Sequence, residues 1–444
     1  MVIGNLRAAA GSIRCSCGAR RNAGAVVAAR GRSRQRCFSS SSGAHSQITD
    51  VTLEDDCSWK AIGDCIAGLG GKGLVVHGGS NRAQASAQRI LFEIRKAGVD
   101  CTTYTVKDLY PTAPGIDEGL SMAKRIGAMS VVGLGRGGVV DTAKAIAALV
   151  GTKGKCQHFL ESPSDGVLGS SGTSQSKAAY SAAAIPCVAV PSGIGVSAAT
   201  SPSVHVLHPE DGLLVPMKRH HSLVPRVALV DPLLTASLRE TTALSMAVAA
   251  LAACVDALLV ATRAADQDAE ASRRQALALE GIRAIATGLP AAAAAATALN
   301  DSAQRLELVR ASIAAGTAVG ATAAPPMQTI AMAAGSLLPL TPYSELVASL
   351  FPHFLSEFTE AEDEAADAVL KQVAAVLGSE TVAGWVRERT GHFQPLLLGD
   401  MDATLPVAET AGGAELLFDH LQVDGDEAPW SDAAFAARIY DAAL

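Results

Sequence analysis

The sequence has few aromatic residues, modest charge and no long uninterrupted apolar run. Only 4% of its 444 residues are aromatic and 18% are charged, whereas 49% are hydrophobic. A membrane-spanning helix needs roughly 20 consecutive apolar residues, and the nearest approach, residues 242–262, contains Asp256. We interpret that stretch as a core helix. The apolar content and the length exclude a disordered chain and are sufficient for two domains with buried cores.

The nine cysteines form no CxxC pair and show no other spacing typical of a metal site. Three of them, Cys15, Cys17 and Cys37, precede residue 50, and the other six are scattered singly along the chain. We therefore expect no disulfide bonds. Small buried thiols in a reducing compartment explain the six.

The first 49 residues contain no acidic residue and no lysine, but eight arginines. This composition is typical of a transit peptide rather than of a folded domain. Arg-Cys-Phe-Ser-Ser at 36–40 resembles a mitochondrial processing site, so we expect the mitochondrial matrix, with the plastid as second choice. Removing the segment and its eight positive charges takes the formal net charge from −7 to −15. So acidic a chain argues against nucleic acid or an anionic membrane as a partner.

From about residue 72, short apolar runs alternate with amphipathic segments of helical periodicity. After Asp231-Pro232 the strand signals end, and alanine- and leucine-rich helical patterns continue. The sequence therefore predicts an α/β domain over 50–232, built on a parallel doubly wound sheet, and an all-α domain over 233–444. The predicted strands are 73–79, 101–106, 130–134, 185–191 and 226–232.

The third of these strands runs into a glycine cluster and then a helix, reading VVGLGRGGVVDTAKAIA at 131–147. Gly135, Gly137 and Gly138 admit a pyrophosphate close to backbone N–H groups at the positive end of the helix. Asp141 suits the helix dipole, and Lys144 follows one turn later. The same glycines also fit a tight structural turn, and the pattern alone does not separate the two interpretations.

Five segments in order resemble the iron-containing alcohol dehydrogenase family, within the wider group that includes glycerol dehydrogenases and dehydroquinate synthase. The resemblance implies that the α/β domain binds a dinucleotide, NAD or NADP, and that the active site lies in a cleft between the two domains. It also implies a homodimer that acts on a small-molecule substrate. The segments are GRGGVVDTAKAIA (135–147), AIPCVAVPSGIGVSAATS (184–201), VPRVALVDPLLTASL (224–238), ALAACVDALLVATRA (250–264) and residues 311–355.

The resemblance assigns cofactor contacts to two glycine-rich loops, and this chain departs from the family in both. Arg136 stands where the family has glycine, and the second loop, PSGIGVSAA from Pro191 to Ala199, lacks one glycine and a glutamate. The first predicted strand ends without a carboxylate, and Arg82 lies nearby in the sequence. These two features favour NADP over NAD. The candidate cofactor-binding residues are Gly78, Gly135, Arg136, Gly137, Gly138, Asp141, Lys144, Pro191, Ser192 and Gly195.

The family's metal ligands, one aspartate and three histidines, are mostly missing. Asp256 occupies the aspartate position, but the histidine positions fall on Val260, Gln328 and Tyr343. No imidazole or thiolate remains to select iron, so we expect no catalytic metal. The hairpin and surface histidines, among them His205, His208, His220 and His221, lie outside these positions.

Hydride transfer needs a positioned nicotinamide and a group that protonates the carbonyl oxygen. The maleylacetate reductases and the hydroxyacid–oxoacid transhydrogenases, relatives in this family, suggest a small hydroxy or oxo acid as substrate. By this resemblance Tyr343 is the proton donor, Gln328 a hydrogen-bond donor, and Lys218 or Arg219 the carboxylate anchor. The alternative is a catalytically inactive family member that is retained for dinucleotide binding or for assembly.

Overall fold

A computed structural model describes ten stretches of the chain. The predicted transit peptide therefore lies outside the described residues, apart from Thr49. The described stretches are 49–161, 179–181, 183–209, 212–236, 238–263, 269–289, 301–320, 325–360, 363–390 and 433–443.

Within these stretches, six parallel strands form one sheet, and two short antiparallel strands form a hairpin beside it. The order across the sheet is β1-β8-β5-β4-β2-β3, and the hairpin consists of β6 and β7. The strands are β1 (Asp50–Leu53), β2 (Lys72–Gly78), β3 (Cys101–Val106), β4 (Ala128–Gly135), β5 (Cys187–Pro191), β6 (His205–Leu207), β7 (Leu214–Pro216) and β8 (Val227–Val230). The predicted parallel doubly wound sheet is confirmed.

Helices cover the sheet, and helices alone follow β8 in the described residues. They are α1 (Cys57–Lys60), α2 (Ile62–Leu69), α3 (Asn81–Lys96), α4 (Ala113–Ile126), α5 (Gly137–Leu149), α6 (Pro232–Thr235), α7 (Glu240–Arg263), α8 (Ala269–Gly288), α9 (Ser302–Val319), α10 (Pro326–Leu337), α11 (Tyr343–Glu360), α12 (Glu364–Leu377), α13 (Val382–Thr390) and α14 (Ala433–Ala443). The predicted combination of an α/β half and a helical half is confirmed.

The central strands are recognisable in the sequence because helices cover both faces of the sheet. β5 is buried at all five positions, and β4 is buried at every position except Met129. Such strands read as continuous apolar runs. The edge strand β1 escaped prediction because it has only four residues, two of them polar, and pairs on one side only, with β8.

Helix α7 is long and apolar enough to cross a membrane by length and composition. However, 83% of its most apolar window is buried inside the protein. It packs against α8, α9 and α11 in the largest apolar cluster of the described residues. The interpretation of residues 242–262 as a core helix therefore agrees with the packing.

Asp231, at the end of β8, joins three segments of the α/β half. Its carboxylate accepts hydrogen bonds from the backbone N–H groups of Asp56 (3.1 Å) and Leu233 (3.0 Å), and from the Ser58 hydroxyl (2.5 Å). Asp231 is completely buried and caps the N-terminus of α6. The Asp-Pro sequence, which lies in one of the five segments that resemble the family, thus has a structural role here.

We expect Asp231→Ala to lower the free energy of unfolding by about 3 kcal/mol, because it leaves buried donors without acceptors. Asp231→Asn keeps one acceptor oxygen and should lose less. Urea unfolding of both variants beside the unmodified protein measures the difference. Equal losses in the two variants would mean that the hydrogen bonds contribute little.

Candidate functional site

A cleft of about 530 Å³ lies between the carboxyl edge of the sheet and the helical half. The chain runs from β2 to β3 on one side of β2 and then returns to β4 on its other side, so the winding direction changes between β2 and β4. Ligands of doubly wound sheets bind at such a switch point. Gly78 ends β2 and Gly135 ends β4, and both line the cleft.

Three glycines at this edge have room for a side chain. A Cβ built on Gly137 meets no atom within 4 Å, and at Gly78 and Gly79 the nearest atoms are 3.7 Å away. None of the three has a positive φ. Neither packing nor backbone conformation requires glycine here, whereas a phosphate that approaches the backbone closely would. These positions fit a dinucleotide.

Two further glycines of the same joint are explained by packing. A Cβ at Gly138 would overlap the carbonyl oxygen of Leu109, and a Cβ at Gly135 would lie 2.7 Å from the Cβ of Val139. The two interpretations of the joint therefore apply to different residues: Gly137 leaves space for a ligand, while Gly135 and Gly138 allow a tight strand–helix turn.

The N-terminus of α5 points its free N–H groups at this space. Arg136 is the N-cap residue, and no side chain caps the helix there. The side chain of Arg136 is exposed at the cleft, and its Cγ lies 3.6 Å from where a Cβ of Gly193 would be. Unpaired N–H groups, the helix dipole and a nearby guanidinium together favour a bound phosphate.

Lys144, a candidate cofactor-binding residue, does not line the cleft. It is completely buried, and its ammonium donates to the Asp141 carboxylate (2.8 Å) and to the Ser203 carbonyl oxygen (2.6 Å). Asp141 does line the cleft. Burial raises the pKa of the Asp141 carboxyl, and the Lys144 charge opposes that rise. The charge of Lys144 is therefore paired inside the protein. Lys144 supports the turn between β4 and α5 from the interior.

The second glycine-rich loop closes one side of the cleft. Ser192 and Gly195 line it, and the N–H of Ser192 donates to the Gly135 carbonyl oxygen at 2.9 Å. Pro191 does not line the cleft, because it is a buried residue of β5 paired with Gly135. Met246 of α7 packs against Gly195, with its Cγ 3.4 Å from the position of a Cβ.

At the helical side of the cleft, Asp256 of α7 caps the N-terminus of α10. One carboxylate oxygen accepts from the N–H of Met327 at 2.9 Å, and the other accepts from the N–H of Gln328 at 3.1 Å. Asp256 is 1% exposed. Burial raises the pKa of its carboxyl to about 7, and the two backbone hydrogen bonds oppose the rise.

The two candidate catalytic residues, Gln328 and Tyr343, both line the cleft, together with Asp256. Tyr343 is the first residue of α11. Burial, and then the neighbouring Asp256 and Tyr110, raise the pKa of the Tyr343 hydroxyl, so it stays protonated. A protonated hydroxyl at this place can donate a hydrogen bond or a proton to a substrate oxygen.

His205 also lines the cleft, although the sequence analysis assigned it to a hairpin outside the site. The hairpin is present, and β6 places the Nε2 atom of His205 3.4 Å from Nε2 of Gln328. Burial, together with the charges of Lys144 and Arg219, lowers the pKa of His205 to about 3, so the imidazole is neutral. A lone histidine on a three-residue strand gives no sequence signal that it faces a cleft.

Residues 50–232 match the model of the family described as iron-containing alcohol dehydrogenase. That match covers the sheet, both glycine-rich loops and the Asp-Pro turn. The α/β half of this chain is therefore similar to the iron-containing alcohol dehydrogenase family. Among curated proteins, none matches the chain in sequence.

Solved structures of alcohol dehydrogenases share the fold over most of the chain. An enzyme from an archaeal halo-thermophile of a Red Sea brine pool is 17% identical, with a TM-score of 0.72 over 92% of this chain and 100% of its own. The Thermococcus thioreducens enzyme is 18% identical, with a TM-score of 0.71 over 89% and 98%. The Thermotoga maritima enzyme is 19% identical, with a TM-score of 0.68 over 90% and 98%. At these identities the likeness shows the fold alone.

The metal of this family does not fit the residues present at its ligand positions. Both oxygens of Asp256 are bonded to backbone N–H groups, and Val260 offers no donor atom. Gln328 and Tyr343 supply a neutral amide and a protonated phenol, which are weak ligands for iron or zinc. Across the described residues, no group of three or more His, Cys, Asp or Glu side chains could hold a metal ion.

The predicted carboxylate anchors, Lys218 and Arg219, do not line the cleft. The Arg219 guanidinium donates to the Gly320 carbonyl oxygen, and Glu161 is near enough to oppose the lowering of the Arg219 pKa by burial. Both residues follow the hairpin strand β7, and the Arg219 charge acts on His205, which lines the cleft. The carboxylate anchor therefore stays a prediction, which the lining of the cleft does not support.

We expect Gly137→Ala to leave folding intact and to weaken dinucleotide binding about tenfold, since its methyl group fills the space for a phosphate. Gly138→Ala is the matched control. It should lower the free energy of unfolding by about 1–3 kcal/mol through overlap with Leu109. Fluorescence titration with NADH and NADPH, together with thermal unfolding, separates the two effects. Unchanged binding by Gly137→Ala would assign this glycine to the turn alone.

We expect the raised pKa of Asp256 to make stability depend on pH. The protonated form is favoured in the folded chain, so the stabilisation is present below the ordinary pKa of 3.8 and is lost as the pH rises through about 7. Asp256→Asn has no such titration. Its melting temperature relative to the unmodified protein should therefore rise between pH 5 and pH 8. A difference that stays constant over this range would contradict the assignment.

Proposed function

We propose that this protein transfers hydride between NAD or NADP and an alcohol or its carbonyl counterpart, without a metal ion. The observation that carries the proposal is the cleft itself. One side is a glycine edge at the sheet's switch point, and the other side places Tyr343 and Gln328 around an aspartate that already caps a helix. The family consists of alcohol oxidoreductases, which supports the coarse activity.

The α/β half supplies the dinucleotide site. Gly78, Gly79 and Gly137 leave room along the edge, and the uncapped N-terminus of α5 and Arg136 would hold the pyrophosphate. The nicotinamide, when bound, supplies or accepts the hydride. Ser192 and Gly195 would contact the dinucleotide from the second loop, and Met246, which packs against Gly195 and lines the cleft, would help to exclude water.

Tyr343 takes the role that a Lewis-acid metal has elsewhere. In the reduction direction, the carbonyl oxygen gains negative charge as hydride arrives, and it accepts the proton of the Tyr343 hydroxyl. The alkoxide is a stronger base than the phenolate, so the transfer is favourable although the pKa of Tyr343 is raised. The Gln328 amide donates a second hydrogen bond, and the neutral His205 beside it limits the rotation of that amide.

The charges of the cleft bear on the substrate. Among the described residues that line it, the charged side chains are Lys107, Asp108, Arg136, Asp141 and Asp256, so both cations belong to the α/β half. The helical half contributes alanine, methionine, serine and valine instead. This lining favours an uncharged aldehyde or ketone. The small hydroxy or oxo acid stays a prediction that rests on the family resemblance.

An inactive protein retained for dinucleotide binding or assembly is the second candidate. The missing metal ligands and the altered second loop favour it. The position of Tyr343 in the cleft, beside Asp256 and Gln328, supports catalysis instead. We further propose the mitochondrial matrix as the location, on the composition of the first 49 residues.

The first experiment titrates the full chain, purified without chelators, with NADPH and NADH, and measures bound iron and zinc in the same sample. Dinucleotide binding without stoichiometric metal supports the proposal and calls for a screen of aldehydes, ketones and oxo acids. Stoichiometric, tightly held metal would contradict the metal-free mechanism. Absence of binding to both dinucleotides would leave no oxidoreductase function.

We expect Tyr343→Phe to lower kcat for carbonyl reduction roughly 10²- to 10⁴-fold, because the proton donor is removed while the ring stays. Dinucleotide affinity should not change, since the hydroxyl lies on the helical side of the cleft. Steady-state kinetics and fluorescence titration measure the two quantities separately. An unchanged kcat under conditions where chemistry limits turnover would assign the proton to another group.

A further inference from the structure

We propose that the cleft selects NADP over NAD and that Lys107 is the residue that recognises the 2′-phosphate. The inference rests on the proposed function, because it concerns the same dinucleotide site. It assigns a specific cation at the β2–β3 edge, which differs from the Arg82 suggested by the sequence.

The register of the sheet places Lys107 beside the glycine edge. β2 and β3 are parallel neighbours, and Gly78 is paired with Val106. The residues that follow each strand are therefore adjacent, and the position of a Cβ on Gly79 lies 3.7 Å from the Val106 carbonyl oxygen. Gly79, Ser80 and Lys107 all line the cleft.

No carboxylate stands at the end of β2. Dinucleotide sites that select NAD place an acidic side chain at such a strand end, where it bonds the ribose hydroxyls and repels a 2′-phosphate. Here the strand ends in His77-Gly78, followed by Gly79 and Ser80. His77 is buried with its Nδ1 2.8 Å from the Gly78 carbonyl oxygen, and the Ser80 hydroxyl accepts from the N–H of Ala83.

Asp108, the residue after Lys107, also lines the cleft, but its carboxylate is hydrogen-bonded to the start of α4. Asp108 accepts a hydrogen bond from the Thr112 hydroxyl at 3.1 Å, and Thr112 is the N-cap of α4. This contact turns the Asp108 carboxylate toward the first turn of α4. It therefore offers less repulsion to a phosphate beside Gly79 than its position in the sequence suggests.

Other cations are less well placed. Arg82 is exposed on α3 and does not line the cleft. Arg136 does line it, but its side chain leans toward Gly193, beyond β4 on the β5 side. Lys107 is exposed and forms no ion pair with any residue in the part of the chain that the structure describes. Its ammonium offers three donors to a doubly charged phosphate.

The test is fluorescence titration of the full chain with NADPH and with NADH, for the unmodified protein and for Lys107→Ala, Lys107→Glu and Arg82→Ala. The unmodified protein should bind NADPH at least about tenfold more tightly than NADH. Lys107→Ala should remove that preference and leave NADH affinity unchanged, and Lys107→Glu should reverse it. Added salt should weaken NADPH binding more than NADH binding.

Arg82→Ala is the matched control, and it should leave both affinities unchanged. Equal affinities in the unmodified protein, or an NADPH preference that survives Lys107→Ala, would overturn the inference while the proposed function stands. A preference lost in Arg82→Ala alone would assign the phosphate to that residue and also overturn it. Absence of binding to both dinucleotides would overturn the proposed function and this inference together.

Discussion

The inner part of the cleft depends on the pair of hydrogen bonds between the Asp256 carboxylate and the N-terminus of α10. These bonds join the buried helix α7 to the helix that carries Gln328, at 2.9 and 3.1 Å. A buried carboxylate is costly unless its oxygens are paired, and two backbone N–H groups at a helix N-terminus pair both of them. The arrangement fixes where α10 begins and therefore where the Gln328 amide lies.

The same bonds bear on the proposal that this protein works without a metal ion. In a metal site, an aspartate is held by the ion and by neighbouring ligands, and removal of the ion leaves its charge buried. In this chain both oxygens of Asp256 accept from backbone N–H groups at the start of α10, and this pairing needs no donor atom from Val260 or Tyr343.

The outer part of the cleft depends on a different constraint, the crowding where β4 meets α5. Gly135 and Gly138 are small because Val139 and Leu109 lie against them, and that crowding brings the turn close to the sheet edge. The space in front of Gly137 is a consequence of this packing. Lys144, buried beneath Asp141 and Ser203, stabilises the turn from inside.

Much of this architecture could be predicted from the sequence, because local patterns carry it. The strands β4 and β5 are buried on both faces and therefore appear in the sequence as apolar runs. Segments of helical periodicity lie between the strands, so the sequence predicts a parallel sheet and the order of its elements. The glycine-rich joint can likewise be predicted from the sequence. The same is true of the absence of histidine at three metal-ligand positions of the family. The short edge strand β1 was missed because a half-exposed strand of four residues has no distinctive pattern.

Only the tertiary structure decided what the individual side chains do. Asp256 and Gln328 are 72 residues apart, and His205 and Gln328 are 123 residues apart. No local pattern records such contacts, since they arise from how whole elements pack. The position of Lys107 beside Gly79 similarly follows from the register of β2 and β3. The buried ammonium of Lys144 is paired with a backbone carbonyl group 59 residues away. The sequence determined which elements form and in what order, whereas packing determined which charges reach the cleft.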